Sequence, residues 1–488
     1  MLLAHTVDQV RRAEAALMAD LPEGALMQRA ADGLAETLLG LVDNAIHKDV
    51  LMLIGAGDNG GDALFAGAAL AGRGVPVDLL VVDENRVHVA GLAAAVGAGA
   101  RRVDAPRGHR LVVDAVVGIG GRPGLREPAA SWFAEARDHG AKIIAVDVPS
   151  GVDVDGGTLA ESHVQADATV TFGTYKPALL LDPAARAAGA GTLPTLIDIG
   201  LGPYLGTPAL EAIEAHDAAI LHDAVAAVFA SDTQKYARGV VGVAAGSQEY
   251  AGAAQLCVRG AQAGVAGMVR FVGSKALSAR IVDRCPEVVA HHDPAQRGRV
   301  QAWVVGPGGG GEAQSRVQMA LEDDVPVVLD ADALSFLPDR FEVPVLLTPH
   351  AGELARMMDV SREQVDADPL GHARAAAKRW NATVLLKGAR TLVAQTGAPT
   401  RVNLTGSPWL ATAGAGDVLA GLAGSFLAAG ADPRTAGSLA AFLHGAASVR
   451  ANRGGPITAS VVADAIPRAI AAMRNGSLAD DDVRDWRE

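Results

Sequence analysis

The feature that most constrains the fold of this chain is a regular alternation of short apolar runs with stretches whose apolar residues recur at helical spacing. The runs are almost continuously apolar, and most end at Gly, Pro or Asp. They lie at 49–55, 75–83, 110–118, 142–150, 168–173, 192–200, 239–247, 267–273, 301–308, 325–332, 343–350, 382–388 and 391–397. Such runs are typical of parallel strands that helices cover on both faces. We predict a doubly wound α/β fold in which each run forms a strand and residues 1–48 are helical.

The pattern occurs twice, and a mixed segment at 201–235 separates the two halves. A chain of 488 residues has room for two to four domains at about 150 residues each. The repetition favours two. We therefore predict one α/β domain over residues 1–220 and a second over 221–488.

Charge and composition exclude several classes of protein. The chain has 42 Lys and Arg against 55 Asp and Glu, a formal net charge of −13, and only 4% aromatic residues. Nucleic acids and anionic membranes need basic patches, so neither is expected as a partner. The start of the chain lacks the apolar core of a signal peptide, and the apolar segment 411–430 consists of Ala and Gly, which predicts a buried helix. We expect a cytoplasmic protein.

A glycine-rich turn follows the first apolar run. Gly55, Gly57 and Gly60 fit the G-x-G-x-x-G spacing of dinucleotide-binding turns. However, Asp58 and Asp62 place carboxylates where a pyrophosphate would lie, and no basic residue offsets them. This disfavours a Rossmann dehydrogenase and suits a cation or sugar hydroxyls better.

Polar residues then follow at the ends of neighbouring runs. Asp114 lies inside an apolar run, where a buried carboxylate must be paired or bind a metal. Asn59, Asp147 and Ser150 lie at adjacent strand ends, so together these oxygens suit a monovalent or hard cation. Lys176 follows another run near the same edge. With Asp147 it forms either an acid–base pair or a structural ion pair.

In the second half, the sequence Gly-Ala-Gly-Asp at 414–417 opens a long helix of small residues. Successive N–H groups at a helix N-terminus form an anion hole, and Asp417 among them can act as a base toward a hydroxyl. The glycines at 306–311 let a planar group approach the backbone. His350 lies at another strand end, where it is either a residue of the ligand site or a helix-capping residue. The P-loop pattern GxxxxGK[ST] does not occur.

Taken together, the motifs resemble those of the bifunctional NAD(P)H-hydrate repair enzymes, in which an epimerase domain precedes an ADP-dependent dehydratase domain. In the first half these are GDNGGDA, VDAVVGIGGR, DVPSGVD and FGTYKPAL; in the second they are GSQEYAGAA, GPGGGG, LDADAL, TPHAGE, LKGART and GAGD. The resemblance runs in order over nearly the whole chain. It implies a Rossmann-like doubly wound domain followed by a ribokinase-like α/β domain. Asp58 and Ala63 stand where the family pattern has Asn and Gly.

For the first domain, the resemblance implies a potassium ion bound by Asn59, Asp114 and Ser150. Asp147 and Lys176 would handle protons while the R and S forms of hydrated NADH or NADPH interconvert. The residues implied to bind this hydrate are Asp58, Asn59, Gly60, Gly61, Asp62, Gly118, Ile119, Gly120, Gly121, Arg122, Pro123, Gly124 and Asp147.

For the second domain, the resemblance implies that the S-hydrate is phosphorylated from ADP and then loses phosphate, which leaves NAD(P)H, AMP and phosphate. Asp417 would be the base, and Mg²⁺ would accompany the nucleotide. The residues implied to contact the S-hydrate are Ala253, Gly308, His350 and Asp417. Those implied to bind the nucleotide are Lys387, Gly388, Ala389, Arg390, Thr391 and Gly416.

Two further expectations concern assembly and an alternative activity. Helices rich in Ala and Gly are compatible with a symmetric assembly, and we expect a homo-oligomer. The alternative function is a ribokinase-like small-molecule kinase whose first half is a non-catalytic nucleotide-binding module. A stable phosphorylated product would indicate the kinase, whereas free phosphate and reduced dinucleotide would indicate repair.

Overall fold

The computed structural model describes residues 1–43, 49–189, 191–226 and 235–484. They form two compact units, one of residues 3–210 and one of residues 211–484 together with Met1–Leu2. The division falls at Leu210–Glu211, whereas the sequence predicts a boundary between residues 220 and 221. The assignment of one activity to each side of that boundary stays a prediction.

The first unit is a parallel sheet of seven strands with helices between them. After β1 (Leu2–Ala4), which is not a strand of this sheet, its elements are α1 (Val7–Ala19), α2 (Ala25–Asp43), β2 (Val50–Ile54), α3 (Asp58–Gly72), β3 (Val77–Val81), α4 (Val89–Gly97), β4 (Arg101–Arg102), β5 (Leu111–Ala115), α5 (Ala129–Asp138), β6 (Lys142–Val146), β7 (Ala168–Phe172), α6 (Pro177–Leu180), α7 (Ala184–Ala187) and β8 (Thr195–Ile197). The strand order is β4-β3-β2-β5-β6-β7-β8, and every pairing is parallel. The order changes direction beside β2, and ligands bind at the carboxyl ends of strands at such a point.

The second unit repeats this architecture with a larger sheet. Its elements are β9 (Leu210–Ala212), α8 (Ala215–Ala226), β10 (Val240–Ala244), α9 (Ala251–Ala263), β11 (Met268–Val272), α10 (Lys275–Arg284), β12 (Val289–His291), β13 (Ala302–Val305), α11 (Ala313–Glu322), β14 (Val327–Leu329), β15 (Val345–Leu347), α12 (Ala351–Met358), α13 (Arg362–Ala367), α14 (Pro369–Trp380), β16 (Thr383–Leu386), β17 (Thr391–Ala394), β18 (Thr400–Asn403), α15 (Ala415–Ala428), α16 (Pro433–Asn452) and α17 (Ala459–Arg474). From β18 the order is β18-β17-β16-β15-β14-β13-β10-β11-β12. The strands from β16 to β12 pair in parallel, and β17 and β18 extend the sheet as an antiparallel hairpin.

The predicted α/β class is confirmed in both units, and each predicted apolar run contains a strand. The predicted helical segment at 1–48 begins with β1 and then forms α1 and α2, while residues 44–48 lie outside the described residues. The segment 411–430 forms α15, whose residues from Val418 to Ala428 are all buried, as its Ala and Gly content predicts. Within the described ranges, no helix has the length and apolar character that a membrane span requires.

Candidate active sites

A cavity of about 1520 Å³ lies at the carboxyl ends of β2, β5, β6 and β7 in the first unit. It is where the strand order predicts a ligand site. Most of the residues predicted for the first domain line it: Asp58, Asn59, Asp62, Gly118, Ile119, Gly120, Gly121, Arg122, Gly124, Asp147 and Lys176. The structure therefore brings the two glycine-rich loops and the predicted acid–base pair to one cavity.

Asp147 and Lys176 form a buried ion pair at this cavity. Lys176 Nζ lies 2.5 Å from Asp147 Oδ1, and the lysine is only 1% exposed. The ammonium also donates to Thr171 Oγ1 at 3.0 Å and to the Phe172 carbonyl at 2.9 Å. An ammonium has three N–H donors, so these contacts use all of them. Asp147 has a φ of +69°, a strained value for a non-glycine residue and one that is concentrated at functional sites.

Two further carboxyl groups face this pair. Burial raises the pKa of Asp62 well above its usual range, and the charges of Asp147 and Asp58 raise it further. Burial also raises the pKa of Glu14, although Lys176 opposes the shift. The cavity thus holds the Asp147–Lys176 pair beside two carboxyl groups whose pKa values are raised by burial. Carboxyls with divergent environments are how enzymes separate acid and base roles.

Sequence reasoning missed two residues here: Glu14, which lines the cavity, and Thr171, which lies against the ion pair. Glu14 lies on α1 between Val10 and Leu17, which are buried on one stripe of that helix. The sequence signal that could have identified Glu14 is a single acidic residue among the buried positions of an amphipathic helix. Thr171 is fully buried in β7 and bonds both members of the ion pair, a role visible only once the strand is folded.

Asp114 and Ser150 meet beneath the cavity, as predicted. The Asp114 carboxylate is fully buried and accepts from Ser150 Oγ at 2.6 Å and from Ser150 N at 2.8 Å. Burial, partly offset by these bonds, raises the pKa of Asp114 to about 6. Asn59 Oδ1 lies 3.0 Å from where a Cβ on Gly118 would be, and Asn59 Nδ2 is buried with no partner among the described residues. The Asp114 carboxylate and the Ser150 hydroxyl supply oxygens of the kind that fit a monovalent cation, and Asn59 would add its Oδ1, since the unpartnered Nδ2 is a donor and does not bind a cation.

Three residues predicted to bind the hydrate do not line the large cavity. Gly60 and Gly61 are buried in the first turn of α3, and a Cβ on Gly61 would lie 2.9 Å from Met27 Cε. Pro123 lines a smaller cavity of about 260 Å³ that shares the loop 119–122 with the large one. The two glycines act through the backbone of the turn, whose N-cap Gly57 has a φ of +85° that only glycine adopts readily.

In the second unit, the predicted anion hole is the N-terminus of α15. Gly414 precedes it with a φ of +85°, in the left-handed region that favours glycine. The N–H groups of the first turn carry the positive end of the helix dipole, and that of Ala415 donates to the Thr412 carbonyl at 3.3 Å. Asp417 lies in this turn, where burial and the charge of Asp330 raise its pKa to about 7 while Lys387 lowers it. A carboxylate with this pKa suits a general base near neutral pH.

An ion pair between the half-buried Lys387 and the buried Asp330 lies beside Asp417. Lys387 Nζ is 2.7 Å from Asp330 Oδ1 and 3.7 Å from Glu353 Oε2. Glu353 also accepts from the backbone N–H of His350 at 2.8 Å, and its own N–H donates to His350 Nδ1 at 3.2 Å. His350 therefore caps α12 and still leaves much of its ring exposed. The two interpretations of this histidine, cap and ligand-facing residue, are compatible.

The remaining predicted residues lie around these groups. Gly308 has a φ of +57°, and a Cβ there would lie 2.8 Å from Ala253 Cβ, so these two residues are in contact. Gly388 and Ala389 are exposed, and Arg390 is half-buried. Thr391 Oγ1 donates to the Gly388 carbonyl at 3.3 Å and closes the turn. A Cβ on Gly416 would lie 3.3 Å from Lys387 Nζ.

Two residues of this region carry no predicted role, Asp330 and His444. Asp330 is 2% exposed and lies in the LDADAL segment. The sequence therefore indicates that it follows a strand, but not that it pairs with Lys387. His444 on α16 is buried, its ring bonds the backbone of Ala415, and burial lowers its pKa to about 4. It therefore supports the first turn of α15 as a neutral imidazole.

Comparison with known proteins gives matches over both units. A family model described as NAD(P)H-hydrate dehydratase matches residues 241–468, and one described as YjeF-related protein N-terminus matches residues 23–178. The bifunctional NAD(P)H-hydrate repair enzyme Nnr of Mycobacterium tuberculosis is 42% identical over 439 residues, which cover 87% of this chain and 89% of that protein. The protein of the same name in Mycobacterium leprae is 41% identical and covers 96% of this chain and 99% of its own length.

Among solved structures, the ADP/ATP-dependent NAD(P)H-hydrate dehydratase of Bacillus subtilis, co-crystallized with ATP/Mg²⁺, is 29% identical to this chain. The match covers 52% of this chain and 97% of that one, with a TM-score of 0.48. The two family models follow one another in the predicted order, and the bifunctional relatives align over most of both chains. The chain therefore belongs to the family of bifunctional NAD(P)H-hydrate repair enzymes.

Proposed function

We propose that the cavity of the first unit interconverts the R and S forms of hydrated NADH or NADPH, and that the α15 site of the second unit dehydrates the S form at the expense of ADP. The epimerase activity is supported by the Asp147–Lys176 pair at a cavity large enough for a dinucleotide. The dehydratase activity is supported by Asp417, which has a pKa of about 7 and lies in the first turn of α15.

In the first unit, Asp147 is the group that exchanges protons with the hydrate. Lys176 fixes the position of Asp147, because the ammonium is itself held by Thr171 and the Phe172 carbonyl. Asn59, Asp114 and Ser150 would hold a potassium ion. The ion would supply positive charge beside the buried Asp114 carboxylate and fix the two loops that carry Asn59 and Ser150.

In the second unit, the hydroxyl oxygen of the S-hydrate attacks the terminal phosphorus of ADP, and Asp417 accepts the hydroxyl proton. The bond from that phosphorus to the bridging oxygen breaks, and AMP leaves with the electron pair. The phosphate ester then loses phosphate with the C–O bonding electrons, while a proton leaves the adjacent carbon and restores the ring double bond. The N–H groups of α15 stabilise the phosphoryl oxygens. Magnesium would bind with the ADP phosphates.

The residue roles, a homo-oligomeric state and a cytoplasmic location belong to this proposal. Its test is incubation of the protein with a mixture of R- and S-hydrated NADH and ADP while the absorbance of regenerated NADH is followed. We expect single-phase recovery that requires ADP and releases phosphate. Recovery without ADP, or a stable phosphorylated product in place of NADH, would contradict the dehydratase assignment. Fast recovery of the S fraction alone would contradict the epimerase assignment.

A further inference from the structure

The large cavity of the first unit extends along the carboxyl ends of the strands from β7 to β3. Phe172 and Lys176 line it beside β7, and Val82 and Asp83 line it beside β3. In the strand order, β3 is three strands away from β6, and Asp147 directly follows β6. Neighbouring strands lie about 4.8 Å apart, so the ends of β3 and β6 are about 14 Å apart. A dinucleotide whose nicotinamide ring lies at Asp147 can therefore place its adenosine half beside β3.

Two charged side chains at the β3 end of the cavity retain unused hydrogen-bonding capacity. Asp83 is half-buried, and its Oδ1 accepts from the Asn85 N–H at 3.0 Å, whereas its Oδ2 accepts no hydrogen bond from the described residues. Arg86 is exposed, lines the same end of the cavity and forms no ion pair within the described part of the chain. Their neighbour Glu84 differs, because it pairs with Arg102 and does not line the cavity. Asp83 and Arg86 thus offer a carboxylate oxygen and a guanidinium to a ligand.

An aromatic pair lies beside these charges. Phe65 on α3 and His88, which caps α4, both line the cavity, and their ring centroids are 5.6 Å apart in an edge-to-face arrangement. His88 Nδ1 accepts from the Gly91 N–H at 3.0 Å, which fixes the orientation of the ring. Aromatic side chains give a planar base an apolar surface to pack against. The β3 end of the cavity therefore combines a surface for an adenine ring with charged groups for its ribose.

We propose that the β3 end of the cavity binds the adenosine half of the hydrated dinucleotide, and that Arg86 and Asp83 determine which hydrate is accepted. The inference rests on epimerisation in this cavity, which is part of the proposed function. Hydrated NADPH carries a phosphate on the 2′ oxygen of this ribose, and a guanidinium binds such a group through two parallel hydrogen bonds. Hydrated NADH has a free diol there, which donates to Asp83 Oδ2. Arg86 therefore favours hydrated NADPH, and Asp83 favours hydrated NADH because its charge repels the phosphate.

The other arginines that line the cavity lie near β5 rather than β3. Arg122 and Arg126 belong to the loop between β5 and α5. Arg11 on α1 approaches the same loop, since its Nη2 lies 3.4 Å from the position of a Cβ on Gly120. In the sheet, β5 lies between β3 and β6, so a dinucleotide in this orientation brings its pyrophosphate to these three arginines. Among the described residues that line the cavity, Arg86 is the arginine left for the 2′-phosphate.

The first experiment measures kcat/KM of epimer exchange for each hydrate separately. We expect Arg86→Met to lower kcat/KM for hydrated NADPH about 10- to 100-fold, as loss of a charged hydrogen bond does, and to leave the value for hydrated NADH within about 2-fold. The loss is expected in KM, because the 2′-phosphate is remote from the reacting carbon. Asp83→Asn is expected to shift the ratio of the two kcat/KM values toward hydrated NADPH by about 2- to 5-fold, the usual range for one charge pair near the surface.

The matched controls are Arg102→Met and Glu84→Gln. They make the same kinds of chemical change in a neighbouring ion pair that does not line the cavity. Both are expected to leave the ratio of the two kcat/KM values within about 2-fold of wild type, since exposed ion pairs contribute little. Retained exchange of hydrated NADH shows that Arg86→Met is folded. Equal loss for both hydrates in Arg86→Met, or an unchanged ratio in that variant, would overturn the proposal.

The second experiment uses fragments that contain the adenosine half alone. Adenosine 2′,5′-bisphosphate and 5′-AMP are compared as inhibitors of the exchange of hydrated NADH, because exchange is the activity assigned to the first unit. We expect the bisphosphate to inhibit wild-type protein more strongly than 5′-AMP does and to lose this advantage in Arg86→Met. Equal inhibition of wild-type protein by the two fragments would overturn the proposal. Absence of exchange in wild-type protein would instead contradict the epimerase assignment, so the two failures are distinguishable.

Discussion

Asp417 is the residue on which the second activity most depends. Its pKa of about 7 means that the base form declines as the pH falls below neutrality. We expect Asp417→Asn to reduce dehydratase turnover at least about 10²- to 10⁴-fold, the usual contribution of a general base, and to leave epimer exchange unchanged. Regeneration of NADH and chromatographic separation of the two epimers measure the two activities in one sample. Full turnover in this variant would remove Asp417 from the base role.

Lys176 supports Asp147 in the first unit. Replacement by Met removes one member of a buried ion pair and leaves the Asp147 carboxylate without its cation. We therefore expect Lys176→Met to lower epimerase turnover and to destabilise the first unit by about 3–5 kcal/mol. Thr171→Val is the graded comparison, because it removes the two hydrogen bonds of the Thr171 hydroxyl, at 3.0 Å to Lys176 and 3.2 Å to Asp147, and keeps the pair. Urea titration and epimer exchange test this, and a Lys176→Met variant with wild-type exchange would contradict it.

Asp114 gives the proposed potassium site a pH dependence. Its pKa of about 6 lies above the usual value, so below pH 6 the carboxyl is protonated and has no charge to offer a cation. We expect potassium to activate epimer exchange at pH 7.5 and to lose most of this effect by pH 5. Titration of KCl against tetramethylammonium chloride at constant ionic strength measures it. Activation that is equal at both pH values, or equal for both salts, would contradict the site.

Helices α9 and α15 approach through glycine. A Cβ on Gly421 of α15 would lie 2.0 Å from the Cys257 carbonyl oxygen, and one on Gly260 of α9 would lie 2.1 Å from the Val418 carbonyl oxygen. Gly to Ala normally stabilises a helix by up to about 1 kcal/mol. Here it would force the helices apart, so we expect Gly421→Ala to destabilise the second unit by about 1–3 kcal/mol and to displace the α15 N-terminus.

The control for Gly421→Ala is on the same helix pair. A Cβ on Gly252 of α9 meets no atom within 4 Å, so Gly252→Ala is expected to change stability little or to raise it. The urea midpoint at which dehydratase activity disappears measures both variants. Equal midpoints for the two substitutions would show that the close approach of α9 and α15 is not required.

At the level of elements, much of the fold is encoded in local pattern. Continuous apolar runs predict the buried parallel strands. A run such as residues 142–150 would place many apolar side chains in water if it formed an exposed element. The antiparallel strand β18 was not predicted, because Thr400–Asn403 is polar and becomes buried only through its neighbours. Glu14 and Asp330 were missed as site residues for a similar reason. Their roles depend on which side chains long-range folding brings beside them, and local sequence does not specify that.

At the level of the whole molecule, the described residues of each candidate site come from a single unit. The residues that line the large cavity lie between Arg11 and Ile199, and the α15 site is formed between Ala253 and His444. The motif order in the sequence predicts this separation, because the motifs that resemble the epimerase all precede those that resemble the dehydratase. A site that needs no residue from the other unit can work when the other site is disabled.

This independence predicts that two defective variants complement each other in solution. Asp147→Asn alone is expected to recover NADH in two phases, because only the S-hydrate is processed quickly, and Asp417→Asn alone is expected to recover none. An equimolar mixture is expected to recover both epimers in a single phase, since the hydrate released by one molecule is processed by the other. The mixture is compared with wild-type protein at the same concentration of each active site. Two-phase recovery in the mixture would mean that epimerisation requires an intact dehydratase site on the same chain.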